Sequence, residues 1–135
     1  HGETVWNVEN KICGMTDSPL TEKGRAQARE LGEKLRASGL RIDEILYSPL
    51  SRDGAEFRIS KTHFADRYSG GESMMQLAQR IYNLLDELRA DTDKTYLLVA
   101  HNGIARVVQS YFYDMTNEEY AAAGIKNCEF VEFTF

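Results

Sequence analysis

Only two of the 135 residues are cysteine and only three are histidine. Cys13 and Cys128 lie far apart and fit no CxxC spacing for a metal or a redox couple, so two reduced thiols are expected. The histidines show neither an HExxH pattern nor any other ligand-like spacing, which argues against zinc and leaves no metal or cofactor to expect. No apolar run approaches the roughly 20 residues that cross a bilayer, and no secretory leader is visible. A cytoplasmic protein with no membrane partner is the expectation. Internal repeats and low-complexity tracts are absent too. Nor is there an excess of positive charge. Lys and Arg number 16 against 21 Asp and Glu, a formal net charge of -5, which argues against nucleic acid as a general partner. A small anion is not excluded, because a local cationic pocket can bind one on an acidic protein.

What is present suits one globular domain. Hydrophobic residues make up 42% and charged residues 27%, both ordinary values, and the length suffices for a real core. Thr21 is placed to cap a helix over 22–38. Ala28, Leu31 and Leu35 recur there at spacings of three and four, and Gly39 can close it. A short strand over 42–47 ends at Ser48-Pro49. A helix over 73–89 carries Met74, Leu77, Ile81, Leu84, Leu85 and Leu88 on one face, with the Met74-Met75 pair expected in the core. The run 95–100 suits a strand buried on both faces of a parallel sheet. After His101-Asn102-Gly103, the next helix buries Ile104, Val107, Val108, Tyr111 and Phe112. Thr116 and Glu119 have capping-box spacing for a short helix that stops near Gly124. Residues 128–135 read as a last strand, which either completes the sheet or pairs across a homodimer.

Alternating strands and helices predict an α/β fold, a three-layer α/β/α arrangement around a mostly parallel open sheet. Sites in such sheets lie beyond the carboxyl ends of the strands. Arg52 and His101 both fall just past predicted strand ends, and His1 would as well if a strand precedes it, so the three can converge despite their separation.

Four segments, in this order, carry a further reading. They are His1-Gly2-Glu3-Thr4-Val5-Trp6-Asn7; the stretch from Gly14 through Asp17-Ser18-Pro19-Leu20-Thr21 to Gly24, followed by Gln27-Ala28; Ser48-Pro49-Leu50-Ser51-Arg52; and Val99-Ala100-His101-Asn102-Gly103. Together they resemble the histidine phosphatase superfamily, the group that includes cofactor-dependent phosphoglycerate mutases. Gly70-Gly71-Glu72-Ser73 also matches a stretch common in its phosphatase branch. The resemblance implies a phosphoglycerate mutase-like fold and phosphoryl transfer through histidine.

By that resemblance His1 is the candidate nucleophile, since a neutral imidazole nitrogen is nucleophilic near pH 7. Its other ring nitrogen should be held by a backbone carbonyl, which fixes the tautomer. Arg52 would clamp phosphoryl oxygens with its planar donor fork. His101 would stabilise charge on the group in transfer. The N–H groups of Asn102 and Gly103 open a helix, a position that favours anions. Gly2 permits close backbone approach, Asn7 and Thr4 would offer an amide and a hydroxyl to the phosphate, and Gly14 matches a backbone contact to substrate. Glu3 is expected to brace its loop, and His63 to be an ordinary loop residue.

Two departures stand out. The strand and arginine that precede the nucleophile in the family are not seen before His1. Arg52 runs straight into Asp53-Gly54-Ala55-Glu56-Phe57 instead of a helix leading to a lid and a catalytic glutamate. Neither Glu56 nor Glu72 matches that acid, so the general acid is unassigned. We therefore expect a natural chain longer than 1–135, a single domain with an N-terminal strand and a lid segment beyond these residues. The implied activity is hydrolysis of a small phosphate ester through phosphohistidine on His1. Phosphoglycerate mutase-type transfer is one alternative, and a binding module with a dead site is another. The segments 16–20 and 70–73 favour the phosphatases. His101-Asn102-Gly103 matches neither the His-Gly-Asn of the mutases nor the His-Gly-Gly of the phosphatases.

Overall fold

The computed structural model describes residues 1–11, 18–47 and 74–135. Its elements, in chain order, are α1 (Val5–Val8), α2 (Glu22–Ala37), β1 (Glu44–Tyr47), α3 (Met74–Arg89), β2 (Tyr96–Val99), α4 (Asn102–Phe112) and α5 (Asn117–Ala122). Strands β1 and β2 pair in parallel, with Leu46 opposite Leu98 and Tyr47 opposite Val99. Just ahead of the ladder Asp43 and Thr95 lock the register. The Asp43 N–H donates to the Thr95 carbonyl, and the Thr95 N–H donates to the Asp43 carboxylate, each at 2.9 Å. Parallel strands need a long crossover, and the chain between these two includes α3. Both strands run out at the same edge, and Ala100-His101 follows β2 there.

The core lies between α3 and α4. Ile81, Leu85, Val107 and Val108 form its buried cluster, and Leu98 and Ala100 pack against it from the sheet. Ile81 is completely buried, which is worth about 1.5–3 kcal/mol relative to exposure. Two half-buried hydroxyls pair at this seam. The Ser110 hydroxyl donates to the Val107 carbonyl at 2.8 Å, so the Tyr82 hydroxyl, 2.9 Å from the Ser110 oxygen, is the donor to it.

Local chemistry sets the helix ends. Thr21 accepts the Gly24 N–H to open α2, and Gly39, at a φ of +72°, follows its end. Thr116 and Glu119 form the expected capping box at α5. Among the described residues no helix is long and apolar enough to cross a membrane.

Some expectations need correction. Residues 128–135 form no strand. Cys128 takes a φ of +56°, which breaks an extended run at its start. The segment is held instead by side chains, with Phe133 stacked on Phe112 at 4.8 Å between ring centroids. Aromatic and β-branched residues favour strands only where a partner strand is available to pack beside. Strand β2 is half-buried along its whole length, not buried on both faces. Ala28 is exposed, with Leu31 and Leu35 only half-buried. Met75 is 84% exposed and takes no part in the core, because it lies beside the α3 stripe that holds Ile81 and Leu85. The Met74 side chain lies outside the described residues.

Candidate active site

The loop that bears His1 rests on the segment 18–27. Thr4 and Leu20 form an isolated antiparallel bridge. The Val5 N–H donates to the Pro19 carbonyl (3.1 Å) and the Thr21 N–H to the Glu3 carbonyl (2.9 Å). The Trp6 N–H donates to Ser18 Oγ, and the Glu3 N–H to Gln27 Oε1. Gly2 and Gly24 touch backbone to backbone. A Cβ on Gly2 would stand 2.1 Å from the Gly24 carbonyl oxygen, and one on Gly24 would stand 2.1 Å from that of Glu3. Glycine is therefore a steric requirement at both positions. The second motif forms the bed of the first, a role its residue types alone did not disclose for Ser18, Gly24 and Gln27.

Within the loop, Thr4 caps α1. Its Oγ1 accepts the Asn7 N–H, while Asn7 Oδ1 accepts the Thr4 N–H at 3.0 Å. Thr4 is wholly buried, and its hydroxyl oxygen is the cap acceptor of this loop. Glu3 braces the loop as expected. Its carboxylate accepts the Thr21 hydroxyl at 3.1 Å and the Lys23 ammonium at 2.9 Å. The Lys23 bond, then the Thr21 bond, holds its carboxyl below the usual range.

His1 and His101 come together across a hundred residues of chain, their ring centroids 5.3 Å apart and their planes tilted by 57°. His1 Nδ1 lies 2.8 Å from the Gly2 carbonyl oxygen. A carbonyl can only accept, so Nδ1 carries the proton and the neutral ring keeps its lone pair on Nε2. This is the backbone carbonyl anticipated for the nucleophile. His101 is the N-cap residue of α4, extended at φ -106° and ψ 162°, and its side chain makes no cap bond. Asn102 and Gly103 follow as the first residues of the helix. Asn102 Oδ1 accepts the Ile125 N–H at 3.0 Å, and a Cβ on Gly103 would meet open space.

Arg52 and Gly14 lie outside the described residues, as do Cys13, His63, Glu56, Glu72 and the stretch 70–73. Among the described residues no three His, Cys, Asp or Glu side chains group as metal ligands. Cys128 adjoins the site through its main chain, its N–H donating to the His1 carbonyl at 3.1 Å. Burial pushes its thiol pKa up, which disfavours the thiolate a cysteine nucleophile needs. Asn127 also reaches the site, its Nδ2 donating a hydrogen bond to Asn7 Oδ1 at 3.2 Å. Nothing in the sequence marks it.

The family model of the histidine phosphatase superfamily (branch 1) matches the chain over residues 1–64 and 53–135. A probable phosphoglycerate mutase GpmB from Enterobacter sp. (strain 638) is 49% identical over 59 residues, 44% of this chain and 26% of that protein. A probable phosphoglycerate mutase GpmB from Salmonella arizonae is 52% identical over 52 residues, 38% of this chain and 23% of that protein. The matched region thus spans about a quarter of these relatives' length. Among solved structures, a mycobacterial glucosyl-3-phosphoglycerate phosphatase superposes with a TM-score of 0.74 at 23% identity, covering 95% of this chain and 86% of that one. The phosphoserine phosphatase of Entamoeba histolytica, in complex with 3-phosphoglyceric acid, gives 0.71 at 23% identity, covering 95% and 84%. At such identities the likeness shows a shared α/β fold.

Proposed function

This chain belongs to the histidine phosphatase superfamily (branch 1), and from that premise we propose that it hydrolyses a small phosphate monoester through a phosphohistidine on His1. One observation carries the reading. His1 and His101 face each other at 5.3 Å, and the His1 Nδ1 proton is already committed to the Gly2 carbonyl. In the first step the lone pair on His1 Nε2 forms a bond to phosphorus, and the ester P–O bond breaks toward the leaving alcohol. The alcohol oxygen takes a proton from a general acid that these residues do not identify. In the second step water attacks phosphorus and gives a proton to the same group, now a base, the P–N bond breaks with its electron pair returning to His1 Nε2, and inorganic phosphate leaves. Throughout, the Gly2 carbonyl stabilises the positive charge that the ring acquires while Nε2 is bonded. His101 donates to a phosphoryl oxygen, where charge builds in a site arranged beforehand. Arg52 supplies the bidentate clamp. Asn102 and Gly103 present main-chain N–H groups at the start of α4, and the Asn7 amide adds a further donor.

Mutase-type transfer is the second reading. It is favoured by the names of the curated relatives that match 38–44% of the chain. The two differ only in the acceptor, water or a second hydroxyl of the substrate. Turnover of a panel of small phosphate esters, phosphoglycerates included, in water enriched in heavy oxygen separates them. Hydrolysis places one solvent oxygen in each phosphate released. A phosphorylated isomer free of solvent label supports the mutase, and failure of the whole panel supports a binding module without turnover.

A further inference from the structure

The stretch 123–128 bonds to both loops of the described site. The Cys128 N–H donates to the His1 carbonyl (3.1 Å), and the Ile125 N–H donates to Asn102 Oδ1 (3.0 Å). Asn127 Nδ2 donates to Asn7 Oδ1 (3.2 Å). Gly124 makes the second bond feasible, because a Cβ there would stand 2.8 Å from Asn102 Oδ1. Arg106 Nε ties the stretch back to α4 through the Ala123 carbonyl at 2.6 Å. Cys128 holds its place in the left-handed region, at a φ of +56°, a conformation costly for a residue other than glycine and kept only where its surroundings demand it.

The consequence is sharpest at Asn7. A carboxamide oxygen has two lone pairs. In Asn7 one takes the Thr4 N–H and the other the Asn127 amide. Turning the Asn7 amide over would set its own N–H bonds against two donors. Both asparagines are exposed, so water can satisfy either one, and the bond is not there to rescue a buried group. What it contributes is direction.

Resting on the phosphoryl-transfer reading of this site, we infer that Asn127 is a positioning residue. It fixes the Asn7 carboxamide so that Nδ2, not Oδ1, is the end offered to a phosphoryl oxygen. Asn127 itself need not touch the ligand.

The test is a double-mutant cycle in the full-length protein, read as affinity for inorganic phosphate by calorimetry. Asn127→Ala should weaken phosphate binding about two- to ten-fold, the size expected of one net hydrogen bond. Asn7→Ala should weaken it at least as much. In the double variant Asn127→Ala should add nothing further. Asn127→Leu, close in volume, should repeat the result with an unchanged thermal midpoint, and it stands in if the alanine variant unfolds. Multiplying effects, unchanged affinity in the Asn127 variants, or unchanged affinity in Asn7→Ala would each overturn the inference. So would a wild-type protein that does not bind phosphate. Phosphohistidine formation by the wild type separates this from the function itself. A coupled cycle without phosphohistidine keeps the positioning role and removes the catalytic reading. Phosphohistidine with independent effects does the reverse.

Discussion

The Glu3 carboxylate lies two residues from the candidate nucleophile, but both of its oxygens are engaged, one by the Thr21 hydroxyl and one by the Lys23 ammonium. Its pKa is held below the ordinary value, first by Lys23 and then by Thr21. The folded protein therefore binds this proton less readily than the unfolded chain. The associated stability is fully present above the ordinary carboxylate range and is lost as pH falls through the lowered value. Lys23 is largely exposed, so the effect is small and screened by salt. Glu3→Gln should lower the thermal midpoint slightly at neutral pH, and the gap from wild type should close on acidification. A gap that widens toward acid would contradict this account of Glu3. That Glu3 braces its loop was legible from the first motif. The burial of Thr4 was not, because a threonine hydroxyl suits a cap and a phosphate equally well, and only packing decides between them.

Helix α2 holds two glycines that look equivalent in sequence and are opposite in consequence. Gly32 has nothing within 4 Å of a built Cβ, whereas Gly24 would drive one into the Glu3 carbonyl at 2.1 Å. Gly32→Ala should stabilise the protein by about 0.5–1 kcal/mol through helix propensity alone. Gly24→Ala carries the same propensity gain, but it should destabilise by on the order of 1–3 kcal/mol through overpacking and should lower turnover by shifting the His1 loop. Chemical denaturation of the two variants checks the signs, and stabilisation by both would remove the docking of α2 on the loop. Helices and their caps were legible because their signals are local. Thr21, Thr116 and Glu119 bond within a turn of where they stand, and the α3 stripe carries its own period. The tail over 128–135 was not legible as a non-strand. Phe130, Val131 and Phe133 have strand character, but a strand needs a neighbour, and here Phe133 finds the ring of Phe112 instead.

The site is assembled by topology from three separate regions. Strand β2 ends at the edge of the sheet and delivers His101 at the start of α4. The bed over 18–27 holds the His1 loop, and the stretch 123–128 bonds to both. The convergence of His1 with His101 was legible from motif order and from the rule that α/β sites lie past strand ends. The contribution of 123–128 was not, since Asn127 and Ile125 act through an amide and a main-chain N–H that no motif encodes. The central claim is that His1 Nε2, set up by the Gly2 carbonyl, accepts the phosphoryl group. The most direct measurement is rapid-quench trapping from a reactive phosphate ester, with the modified peptide mapped by mass. We predict an acid-labile, base-stable phosphate on His1, absent in His1→Ala. Phosphate on another residue, or turnover retained by His1→Ala, would contradict it.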